Sequence, residues 1–161
     1  DTTSPQVIMR TFKQITDAVE KAAIELQSAP GPAKQADVER LMQKALRLLD
    51  LSQVPPTARR DVGGDAIVFL VDVLRRIDVP PLEAIPNASA FPDVEKPASW
   101  TVPGSEITIS RLMQGPKKGH FVFDAETVEG NAAPMATFRP DSEEGRIQTK
   151  KNKESYRDLS R

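Results

Sequence analysis

His120 is the single histidine among 161 residues and no cysteine accompanies it, so the equipment for proton transfer and nucleophilic chemistry is sparse. An imidazole that titrates near neutrality can act as a general base, and a carboxylate on its far nitrogen would hold the productive tautomer. Asp124 follows His120 most closely among the acidic residues, but four residues along an extended strand cover roughly 13 Å, beyond hydrogen-bond reach. A triad assembled from a distance would need an activated serine, and the Gly-X-Ser-X-Gly elbow that presents one is absent from the sequence. Without cysteine there is no thiolate catalysis, no disulfide and no Cys-type zinc site, and one histidine cannot form a multi-His metal site within this chain. His120 therefore reads as a histidine at a strand edge or beside a turn, and no catalytic, metal-ligating or cofactor-binding residue is expected.

The remaining candidates are cationic or aromatic. Gly115-Pro116-Lys117-Lys118-Gly119 could offer backbone N–H groups and two ammonium heads to an anion. It lacks the length and the Gly-Lys-Ser/Thr ending of a phosphate-binding loop, so the simpler reading is a solvated hairpin tip whose lysines discourage edge-to-edge pairing. Arg59-Arg60-Asp61 suggests ion pairing at a helix start, with Asp50 or a carboxylate on the next helix as partner. Trp100 reads as the anchor of a small sheet on the helices, with a ligand platform as the other reading. Arg59, Arg60, Trp100, Lys117, Lys118 and His120 are thus the residues through which a ligand or partner would be held. Lys150, Lys151 and Lys153 lie among Glu154 and Asp158, as on a solvated helix face; a juxtamembrane basic segment is the alternative. Asn87-Ala88-Ser89 matches a glycosylation sequon, a short pattern that arises readily by chance, and receives no function. With 22 basic against 23 acidic residues and a net charge of −1, no global field recruits nucleic acid.

These residues must be positioned by elements that the hydrophobic periodicity makes visible. Ser4-Pro5 is a helix-start signal, because Ser4 can accept from an orphan N–H and Pro5 sacrifices none. Ile8, Phe12, Ile15, Val19, Ala22 and Leu26 then fall on one helical stripe, which Ser28-Ala29-Pro30-Gly31-Pro32 ends. A second helix is expected to start near Ala36-Asp37 and to bury Val38, Leu41, Met42, Ala45, Leu48 and Leu49. A third begins at Pro55-Pro56 and carries Ala66, Ile67, Leu70, Val73, Leu74 and Ile77. Gly63-Gly64 weakens its first turns by about 1 kcal/mol per glycine relative to alanine. Either a neighbouring helix approaches closely there, or this helix starts later.

The whole chain, 1–161, is expected to form one α+β domain. Three amphipathic helices make a layer over residues 1–79, and a proline-rich connector over 80–99 is laid along the surface. A small antiparallel meander follows over 100–124, where Trp100-Thr101-Val102 and Glu106-Ile107-Thr108-Ile109-Ser110 alternate around the Pro103-Gly104 turn and His120-Phe121-Val122-Phe123 pairs next. Three short strands cannot enclose a core, so the Ile107, Ile109, Phe121 and Phe123 face should dock on the helices. Asp124 is a plausible N-cap for a short helix that Gly130-Asn131 interrupts. The tail over 125–161 is expected to be largely irregular, and its charged, poorly amphipathic end over 150–161 calls for a partner, a membrane edge or disorder. No stretch approaches the roughly 20 apolar residues that span a bilayer.

Three blocks of the sequence resemble a known group. Asp1-Thr2-Thr3-Ser4-Pro5 with Arg10-Thr11-Phe12, and Ala45-Leu46-Arg47-Leu48-Leu49-Asp50-Leu51-Ser52-Gln53-Val54-Pro55-Pro56 with Ala58-Arg59-Arg60-Asp61-Val62-Gly63, are similar to the N-terminal extramembrane region of a set of bacterial mechanosensitive channels of the small-conductance (MscS) family. Trp100-Thr101-Val102-Pro103-Gly104-Ser105-Glu106-Ile107-Thr108-Ile109, then Gly115-Pro116, Gly119-His120-Phe121-Val122-Phe123 and Glu126-Thr127-Val128, resemble the same region's tryptophan, PGTEI and glycine–proline hairpin. The blocks keep the family's order over about three-quarters of the chain. Two departures stand out: Gly64 replaces a usually polar side chain, and 130–149 is longer than the family's direct passage into a helix that Glu154-Ser155-Tyr156-Arg157-Asp158-Leu159 faintly matches.

The resemblance implies a periplasmic domain of an inner-membrane protein, ahead of a transmembrane channel portion of the same chain that assembles as a homo-oligomeric, seven-subunit ring. The function expected is non-enzymatic docking or sensing that modulates gating or assembly. The alternative is a free periplasmic module holding a small molecule or peptide between helices and meander near Trp100. An envelope hydrolase is a third reading, and it would require His120 in a pocket beside a hydroxyl.

Overall fold

The computed structural model describes residues 2–130. Ser4 caps the first helix, α1 (Pro5–Ser28), as its side chain accepts from the Val7 N–H and Pro5 occupies the first turn. The stripe read from the sequence is the buried one: Ile8, Phe12 and Ile15 lie in the core with Met9, and Val19 packs against it half-buried. Full burial stops at Ile15 and, past Val19, the rest of this 24-residue helix contributes no residue to the core.

The second helix, α2 (Pro32–Leu46), begins a turn earlier than the Ala36-Asp37 start expected, with Gly31 as N-cap and Pro32 in the first turn. Proline lacks an N–H that would in any case be orphaned there, and its fixed φ suits the helix, so Pro32 initiates α2 instead of breaking the chain. A 3₁₀ turn at Pro56–Ala58 leads into α3 (Arg59–Arg76), so the expected start at Pro55-Pro56 holds the right turn but not the right helix type. At Gly63 a Cβ would lie 2.3 Å from Leu46 Cδ2, whereas one at Gly64 would meet nothing within 4 Å. Close approach of α2 thus accounts for Gly63 only.

The connector contains two further 3₁₀ turns, Leu82–Ala84 and Ala88–Ala90. It is not merely laid on the surface: Ile85 is 2% exposed and belongs to the core, and Pro86 O accepts from Gln6 N. The antiparallel meander follows as expected, in the order β1 (Ser99–Thr101), β2 (Thr108–Arg111), β3 (Phe121–Phe123), with Trp100 opposite Ile109 and Ile109 opposite Phe123. Ile107, Ile109, Phe121 and Phe123 are fully buried, and Phe123 meets Phe12 of α1 edge-on with ring centroids 5.1 Å apart. Each such side chain contributes roughly 1.5–3 kcal/mol of burial, which is what fixes the sheet to the helices.

The outer edge of β3 is occupied as well. Phe123 N donates to Leu48 O and Asp50 N to Phe123 O, both at 2.8 Å, forming a parallel bridge with the segment that leaves α2. Asp124 then caps the short helix α4 (Ala125–Val128) by accepting from Thr127 N, and Gly130 follows with φ +80°. The fold is therefore α+β, with helices, connector and sheet sharing one hydrophobic cluster. The expectations for residues 131–161, including the Lys150-Lys151-Lys153 cluster, lie outside the described residues.

Candidate functional site

The β2–β3 hairpin carries three of the six candidates. Gly115 and Gly119 adopt φ of +81° and +90°, a left-handed backbone that glycine enters without a Cβ penalty, and together they turn the chain back. The tip does not leave its lysines free. Lys117 Nζ donates to Arg47 O just past the end of α2, at 3.2 Å, and Lys118 Nζ pairs with Glu95 Oε2 at 2.9 Å. Lysines expected to guard an edge instead tie the hairpin to α2 and to the connector. Both are exposed, so each contact contributes about 0–1 kcal/mol and the gain is mainly in placement.

His120 lies at the base of the same hairpin, exposed, with Nδ1 2.5 Å from the Thr2 hydroxyl. Thr2 O also accepts from Phe121 N at 2.8 Å, so side chain and backbone together dock the N-terminal segment on β3. Asp124 takes no part: its carboxylate is committed to Thr127 N. The hydroxyl–imidazole contact is exposed, and among the described residues no carboxylate bonds the second ring nitrogen. What it does is hold two chain segments together.

Arg59 and Arg60 open α3. Arg59 Nε donates to Val54 O at 3.0 Å, and Arg60 pairs with Glu39 of α2 at 2.7 Å. The carboxylate is thus on the preceding helix. Asp50, the partner considered from the sequence, accepts instead from the N–H and hydroxyl of Ser52. Trp100 is half-buried on β1 and packs against the hydrophobic cluster, as an anchor would. The structure brings Lys117, Lys118 and His120 to one hairpin, but it assigns the six residues to separate contacts and assembles no common site from them.

Two features were not anticipated. Arg111, only 6% exposed, ends β2 with its guanidinium over the Phe121 ring, 5.1 Å from the centroid. Among the described residues no carboxylate pairs with it; Nη1 donates to Asp93 O and Lys96 O at 2.7 and 2.8 Å, and Nη2 to Phe91 O at 3.1 Å. A buried cation held by carbonyl dipoles and a ring face pins the connector across the sheet. The signal was present in the sequence, because Arg111 is in phase with the inward Ile107 and Ile109 on a strand of period two.

The second is an apolar cleft where α1, α2 and α3 meet. Thr16, Val19, Glu20, Met42, Ala45, Ile67, Val68 and Val71 line a volume of about 50 Å³. Glu20 forms an ion pair with Arg75 of α3 beside it. Trp100 is not among the lining residues. Helical stripes show which faces turn inward, but a gap among three of them depends on crossing geometry that no stripe encodes.

Among the described residues no group of three or more His, Cys, Asp or Glu converges as a metal site would require, and no helix is long and apolar enough to cross a membrane. No family model, curated protein or solved structure matches the chain.

Proposed function

We propose that this chain is a non-enzymatic docking and sensing domain of an MscS-like mechanosensitive channel, positioned in the periplasm and modulating gating or assembly of the pore portion of its own polypeptide. One observation carries the proposal: each block that resembles that family contributes residues to the shared core, alongside Ile8, Ile67, Leu70 and Ile85 from between the blocks. Pro5 and Phe12 from the first block, Leu48, Leu49, Val54 and Gly63 from the second, and Val102, Ile107, Ile109, Phe121, Phe123 and Val128 from the third are all buried. A resemblance confined to surface loops would speak for convergence of composition; one spread over the residues that pack together speaks for a shared scaffold.

The candidate residues support the same reading, since each cationic or imidazole group joins one segment to another and so sets the shape of a surface. Such a domain acts by differential contact: an envelope component or a neighbouring subunit that holds one channel state better shifts the gating equilibrium by that difference. The pore portion supplies the homo-oligomeric ring. The small-molecule alternative gains nothing from the cleft, because about 50 Å³ admits one aliphatic side chain, whereas metabolite pockets run to roughly 300–1,000 Å³.

Membrane fractionation of the natural polypeptide tests the proposal. A channel domain stays with the inner membrane through alkaline washing and leaves only in detergent. Release in soluble form on opening the outer membrane would favour the free periplasmic module instead.

A further inference from the structure

We draw no further inference here: the strongest candidate, the apolar cleft where α1, α2 and α3 meet beside the Glu20–Arg75 ion pair, belongs to the site already described, and nothing in the structure shows what covers it.

Discussion

Gly63 and Gly64 are chemically identical neighbours on one helix, and the structure gives them opposite roles. At Gly64 a methyl group meets open space, so Gly64→Ala is expected to stabilise the protein by about 0.5–1 kcal/mol through helix propensity. At Gly63 the same methyl must shift the tip of the half-buried Leu46 side chain while Leu51 carbons stand 3.5 and 3.6 Å away, so Gly63→Ala should lie about 1 kcal/mol below Gly64→Ala. Urea unfolding of the two variants decides it, and equal midpoints would remove the close approach of α2. Arg111 is the second residue on which the fold leans. Arg111→Met keeps much of the apolar stem but strands the three carbonyls that the guanidinium bridges, and a loss of about 3 kcal/mol is expected in the same assay. By contrast His120→Ala, an exposed change, should move stability by no more than about 0.5 kcal/mol. The sequence contained part of this: Ser4 and Asp124 as caps and the inward face of the meander follow from local rules. Arg111 was legible only to a reading that trusted strand alternation over the ordinary preference of arginine for water. The partners of Arg60 and Lys117 are set by tertiary placement, which no local pattern carries.

At the scale of elements, stability is unevenly distributed along α1 and α2. Buried positions end at Ile15 on α1, and Ala45 is the one buried residue within α2, while Ile24 is 65% exposed. The far halves of these two helices lean mainly on each other. Hydrogen exchange should therefore show weak protection over residues 20–28 and 32–41 and strong protection over 8–15 and 66–73. Uniform protection along α1 would mean that the distal half is held by contacts the buried residues do not reveal. Element types were readable from the sequence because stripes of 3.6 and alternation of two are distinct. The start of α2 was not, because Pro30-Gly31-Pro32 serves equally as a breaker and as an N-terminal initiator, and only packing selects between them. The connector is exposed over most of 80–99, and its one buried residue escapes local rules for a related reason. One isoleucine among prolines and alanines has no period, yet Ile85 fills the core and Arg111 straps the segment down.

At the scale of the whole molecule, helices, connector and sheet of the described residues close around one hydrophobic cluster, so the proposed role rests on a single packed body. Under the proposed channel role, a difference of about 1.4 kcal/mol in how a partner holds two states would change their ratio tenfold. Such a domain needs a defined shape more than a reactive centre. Tension-activated current is the most direct measure of this role. In membrane patches the full polypeptide is compared with a version lacking residues 1–161, each against an internal reference channel. A docking and sensing role requires a shifted tension threshold, altered inactivation, or a failure of the shortened subunits to assemble. Equal thresholds, equal inactivation and equal assembly would contradict it.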